Sequence, residues 1–129
     1  MSGNTRLYSD YLTQQGYRPT VDSDGDVVFK EEGRIYYIDI DTSDNEYFRL
    51  VFPNFWEISG SDELAKAICA ANEATRSTKV AKVYVRGDGK ETSASIEMFF
   101  SNPDQFKAVF TRSMSALKTA VKHFVDEMK

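Results

Sequence analysis

The sequence predicts an α+β fold, an antiparallel five-stranded sheet with helices packed on it, in the order α-β-β-β-α-β-β-α. Three observations carry that prediction. Residues 34–41 and 46–52 alternate apolar and polar side chains with period two, as strands with one buried face do. Phe106, Phe110, Met114, Leu117, Val121, Phe124 and Met128 recur at three- and four-residue intervals, the spacing of a helix lying on a core. Turn chemistry at Glu32-Gly33, Thr42 to Asn45 and Asp88-Gly89 separates the strand-like runs, so consecutive strands fold back antiparallel.

In chain order, Asn4 or Thr5 can cap a first helix carrying Leu7, Tyr8, Tyr11 and Leu12, which stops at Gly16. Residues 17–21 are extended, because Pro19 fixes its own φ and biases Arg18 away from the α region; they suit a stub of edge strand. A turn over residues 22–26 enters a meander. Its first strand is Val27 to Glu31. The second puts Tyr36, Ile38 and Ile40 inward against Ile35, Tyr37, Asp39 and Asp41, and the third puts Phe48, Leu50 and Phe52 inward against Tyr47, Arg49 and Val51. Pro53 argues against a central strand beyond Phe52, yet Phe55 and Trp56 are too apolar for a solvated loop. They close one end of the core or anchor a partner.

Ser61 reads as the cap of a helix over 62–77 with Asp62 and Glu63 in its first turn. Leu64, Ile68, Ala71 and Thr75 form a stripe for the sheet. Ala67, Ala70 and Ala74 form a second, small-residue stripe, which suits close approach by another element of this chain or by a second copy. The sharper expectation is a homodimer through Ala67, Ala70 and Ala74. Cys69, amid these alanines, reads as a small buried hydrophobe. Residues 78–87 and 91–101 read as a hairpin, with Ala81, Val83, Val85, Ala94, Ile96, Met98 and Phe100 inward. Its outward set, Lys82, Tyr84, Arg86, Ser93, Ser95, Glu97 and Phe99, joins Tyr37, Tyr47 and Arg49 in a tyrosine-containing platform. That platform is either a solvated sheet face stabilised by cross-strand pairs or a partner-binding surface with Tyr37, Tyr47 and Tyr84 at its centre. Asn102-Pro103-Asp104-Gln105 is an entrance to the last helix, with Asn102 as cap and Gln105 completing a capping box.

Composition bounds the function. A chain of 129 residues with 41% hydrophobic side chains can bury a core as one domain over 1–129, without disulfides or metals. The net charge of −4 is uneven: residues 1–60 hold five Lys or Arg against eleven Asp or Glu, and residues 61–129 hold eleven against nine. No basic stripe for phosphates is present, so nucleic acid is not an expected partner. No run approaches the roughly 20 apolar residues of a membrane span. The absence of a secretion signal and the single cysteine fit a cytoplasmic protein.

The element order, with residues 25–29 (Gly-Asp-Val-Val-Phe), Gly33-Arg34 and residues 71–83 (Ala-Asn-Glu-Ala-Thr-Arg-Ser-Thr-Lys-Val-Ala-Lys-Val), resembles the YbjN family of small bacterial proteins. The resemblance covers most of the chain. It implies a fold like that of the type III secretion chaperones and an association with bacterial sensory-transduction regulation. A dimer interface on the middle helix would follow from the same likeness, whereas a role in secretion would not. It supplies no catalytic residue to carry over.

Candidate chemistry is sparse. Placing Gly25 at the invariant glycine of a calcium loop puts Asp22, Asp24, Asp26 and Glu31 at ligand positions, but the first position falls on Thr20 and the following segment is β-patterned. An acidic turn is the better account, and no metal or cofactor is expected. His123, the single histidine, lies off the apolar stripe of the last helix without convergent partners. These readings favour a non-enzymatic protein-interaction or regulatory module with a protein partner. The alternative is a small-ligand sensor with a pocket between the sheet and the last helix.

Overall fold

The computed structural model describes residues 3–129. Helix α1 (Gly3–Gln14) is followed by β1 (Thr20–Val21), β2 (Val27–Glu31), β3 (Arg34–Asp39), β4 (Tyr47–Glu57), α2 (Ser61–Ser77), β5 (Ala81–Val85), β6 (Glu91–Phe99) and α3 (Phe106–Met128). Among the described residues the strands form one antiparallel sheet in the order β1-β2-β3-β4-β6-β5. The sheet therefore has six strands where five were expected. The extended stub after Pro19 pairs Thr20 with Val28 and Val21 with Val27, which makes it a strand of its own.

The helices occupy one face of this sheet. The period-two alternation holds: Tyr36, Ile38, Phe48, Leu50, Ala94 and Ile96 are buried in the core shared with Tyr8 and Leu12 of α1 and with the α3 stripe from Phe106 to Met128. Aromatic contacts join the layers, Tyr8 with Phe48 and Phe106, and Phe110 with Phe29. At about 1.5 Å per residue the 23 residues of α3 span roughly 35 Å, enough to cross the strands beneath it. Its entrance follows the expectation in part: Asn102 caps a 3-10 turn that leads into α3, and Gln105 reaches back one residue beyond the cap, so the capping box is not closed. Asn102 Oδ1 accepts from Asp104 N at 2.9 Å and Gln105 Oε1 from Ser101 N at 2.9 Å, with Pro103–Gln105 forming a 3-10 turn.

Strand β4 does not stop at Pro53. Its pairing with β3 ends at Val51, so from there only β6 needs backbone partners from it, and the missing N–H of Pro53 leaves no β3 bond unmade. Between Phe52 and Trp56 the register against β6 shifts at a bulge, with Asn54 at φ 49°. Ser93 Oγ accepts from Asn54 N at 3.0 Å, and Arg86 donates to Asn54 Oδ1 at 3.0 Å, which holds the bulge.

Helix α2 is turned relative to the expectation. Ala67, Ala70, Ala71 and Ala74 are its buried residues, while Ile68 is 53% exposed and Cys69 is exposed. The small-residue stripe is the inner face of the helix, where methyl-sized side chains admit the neighbouring α3 and β5 closely. It is therefore no free surface for a second copy. Cys69 is correspondingly corrected from a buried hydrophobe to an outward side chain. Ser61 opens the helix without capping it; Gly60, at φ 91°, takes the cap position, and Glu63 Oε1 accepts instead from Ser59 N at 3.2 Å. Asn4 and Thr5 lie inside α1, and their side chains tie it to Asn45 and to the Gly25 carbonyl.

Candidate functional site

The face of the sheet opposite the helices brings together three of the five side chains singled out for partner binding. Arg49, the third residue of β4, is the hub. Its guanidinium donates to Asp39 Oδ2 on β3 at 2.9 Å and to Tyr84 Oη on β5 at 3.0 Å, and its positive charge acts on the phenol of Tyr37. Glu97 lies across from it on β6, since Arg49 and Glu97 are register partners, at 3.7 Å. The Glu97 carboxylate accepts from Ser95 Oγ at 2.6 Å, from Lys82 at 2.7 Å and from the phenol of Tyr47. One charge network is thus met by Tyr84 at Arg49 and by Tyr47 at Glu97, with Tyr37 on the same face under the charge of Arg49.

Strand geometry explains the convergence. Alternate residues share a face, so Asp39, Arg49 and Glu97 fall in a row across three adjacent strands, and Lys82 on β5, opposite Ser95, reaches Glu97 on the diagonal; opposite charges meet between each neighbouring pair of strands. The long side chains lie over the short ones. Val51, Ser93 and Ser95 point away from the helices yet are buried. The platform is therefore drier than a solvated sheet face, which sharpens its electrostatics. Burial alone would raise the Glu97 carboxyl, but the hydrogen bonds from Lys82, Ser95 and Tyr47 outweigh it and hold the group at about 2. Burial, together with the bond to Glu97, pushes the Tyr47 phenol well above its ordinary range. Burial also raises Tyr37, partly opposed by Arg49. Near neutral pH these phenols stay protonated and Glu97 is a weak base, so the arrangement is a fixed pattern of donors, acceptors and rings.

At one end of the platform stands the residue that the sequence reading undervalued. Phe99 is 80% exposed, with its ring centroid 5.9 Å from that of Tyr47, its register partner on β4. It had appeared only as one member of the outward set. The signal that could have singled it out is a bulky apolar residue at an outward position, with a second aromatic opposite on the neighbouring strand.

Phe55 and Trp56 are not part of this surface. The bulge turns them toward α3, where Phe55 stacks on Phe52 and both meet Phe124, with centroids 5.4 and 5.8 Å away. They close the end of the core, and Trp56 Nε1 lies 3.4 Å from Glu63 Oε1. The acidic turn has the local role expected of it: Asp22 Oδ1 accepts from the backbone of Asp24 and Asp26 at 2.9 and 3.0 Å, and Asp26 Oδ1 from Ile40 N at 2.8 Å. Their carboxylate oxygens approach within 4.8 Å of one another, a grouping that exposed acidic turns commonly show. His123 is exposed on α3.

No family model and no curated protein matches the sequence. Among solved structures the chain is similar to an uncharacterized protein from Methanothermobacter thermautotrophicus, with a TM-score of 0.58 and 12% identity over 97% of this chain and 94% of that one. The likeness is one of fold. No helix among the described residues is long and apolar enough to cross a membrane.

Proposed function

We propose that this chain is a non-enzymatic protein-interaction module with a regulatory role of the YbjN kind, acting in the cytoplasm and presenting the helix-free face of its sheet to a protein partner. The observation that carries this reading is the exposed Phe99 beside Tyr47. Burying a phenylalanine is worth about 1.5–3 kcal/mol, and a folded chain leaves that contribution unused unless something else covers the ring.

The rest of the platform supports the same reading. Tyrosine and arginine are the side chains most often found at the energetic centres of protein interfaces. Here they are held in place by Asp39 and Glu97, so little rotamer freedom remains to be lost on binding. A protein suits the surface better than a nucleic acid, because Arg49 and Lys82 are already paired with carboxylates. The homodimer expected through Ala67, Ala70 and Ala74 is not carried forward, since those residues are buried within the chain.

A photo-crosslinking phenylalanine analogue at position 99, compared in the native cell with one at the exposed helix position Lys107, tests the proposal. Discrete protein adducts from position 99 that are absent from position 107 are expected. Identical adducts from both positions, or none from position 99, would reject the sheet face as the binding surface.

A further inference from the structure

On the helix side of the molecule a groove of about 470 Å³ runs between α3 and the α2–β5 connection, far from the tyrosine platform on the opposite face. Its origin is legible in α3. The stripe beside the core residues Phe110, Met114 and Leu117 is small, with Ser113 and Ala116 one turn apart, and these side chains leave space above Ile96 and Met98 of β6. Val109 extends the apolar wall. Such a volume lies within the ordinary range for small-molecule sites.

The lip is strained. Val80, a β-branched residue, sits at φ 67°, and Ala81 N donates to Lys79 O at 2.7 Å across it, so the backbone makes a positive-φ γ-turn that side chains of this type rarely adopt. The turn leaves Val80 57% exposed at the groove. Strain of this sort clusters at ligand sites. Thr78, in the same wall, keeps a buried hydroxyl oxygen without a hydrogen-bond partner.

Charge then selects the occupant. The chain as a whole has more acids than bases, yet no Asp or Glu lines this groove, and Lys79 and Arg112 stand at it. Among the described residues neither has an ion-pair or side-chain hydrogen-bond partner. We infer that the groove is a binding site for a small aliphatic carboxylate, its chain on Ile96, Met98, Val109 and Ala116 and its carboxylate between Lys79 and Arg112. This would add ligand sensing to the protein-binding face without depending on it.

Octanoate is the probe, with octylamine as its cationic counterpart. Titration followed by heteronuclear NMR should show octanoate saturating below about 1 mM, as expected of a ligand with about ten heavy atoms, with shifts centred on Ser113, Ala116 and Ile96. Octylamine should leave those signals in place. The exposed pair Lys79→Gln and Arg112→Gln should weaken octanoate binding by about tenfold, because the charged hydrogen bonds are lost. Ala116→Trp, filling the groove, should abolish it; should that variant fail to fold, the exposed pair carries the test alone. Equal binding of octylamine, octanoate shifts mapping elsewhere, or no shifts at about 5 mM would overturn the inference. So would a dimeric mass in light scattering that the exposed-pair or Ala116 variant converts to monomer, since the groove would then belong to a second copy.

Discussion

Replacing Glu97 by Gln isolates the charge of the platform from its shape. The amide nearly matches the carboxylate in shape and its one oxygen can keep accepting from Tyr47, but its –NH2 then stands where Oε2 accepted from Ser95, so what is removed is the attraction to Lys82 and Arg49 together with the Ser95 bond. A carboxyl that ionises near 2 in place of 4.5 is worth at most about 3 kcal/mol to the folded state above pH 5. The side chain remains 20% exposed and Lys82 is 52% exposed, so solvent screening brings the expected loss in Glu97→Gln to about 1–2 kcal/mol. For a domain of this size that is roughly 3–10 °C in melting temperature. The pH dependence follows from the sign of the shift. A group whose folded pKa is depressed contributes stability above its unfolded pKa and loses it as the pH falls through the folded value. The difference between wild type and variant should be constant near neutrality and shrink between pH 4.5 and 2. Thermal melts followed by circular dichroism at pH 7, 4 and 2.5 measure this. Equal melting temperatures at pH 7, or a gap that persists unchanged at pH 2.5, would refute the assignment of Glu97 as the charged centre.

Two further outcomes follow from the orientation of α2. Cys69 is exposed, so a maleimide should modify it completely in the native protein; protection until denaturant is added would mean that the outer face of α2 is covered. Ala70 is 3% exposed against the core, so Ala70→Arg should destabilise the fold by at least about 3 kcal/mol, seen as a lowered denaturation midpoint. A variant with unchanged stability but halved mass in light scattering would instead restore the alanine stripe as a dimer interface.

The helix face of the sheet was legible because periodicity reports burial directly. Phe48, Leu50 and Ile96 alternate with polar residues, and the α3 stripe repeats every three or four, so each run has one arrangement that removes it from water. The rotation of α2 was not legible for the opposite reason. With Leu64, Ile68, Ala67, Ala70 and Ala74 around the same helix, two adjacent stripes were both apolar, and only contact with α3 decides between them. Side-chain size alone favours the larger residues for the inner face; close helix packing selects the smaller ones. The bulge in β4 has no local signature, because nothing in the sequence distinguishes a proline that ends a strand from one placed where its neighbour has already stopped. For the platform, sequence supplies the members, Tyr37, Tyr47, Arg49, Tyr84 and Glu97 among them, but not which of them is the hub. That Arg49 and Glu97 face each other depends on the β4–β6 register, which brings together segments separated by helix α2 and strand β5.

The edges of the sheet give the exposed face its significance. An edge strand offers free backbone groups to any extended segment, and β5 is such an edge. Its middle is closed. Thr75 of α2 accepts from Val83 N at 2.9 Å and donates to Val83 O at 3.2 Å, so one hydroxyl occupies both groups that an added strand would need there. At the other edge β1 is only two residues long, too short to guide a strand. Pairing through either edge is thus disfavoured. The helix face is largely covered by α1, α2 and α3, and Phe55 and Trp56 close one end of it on Phe124. What remains for a macromolecular partner is the broad face on which Tyr37, Tyr47, Arg49 and Tyr84 are already fixed and Phe99 is uncovered. An interface there would be read through side chains, with the backbone of the sheet playing no part.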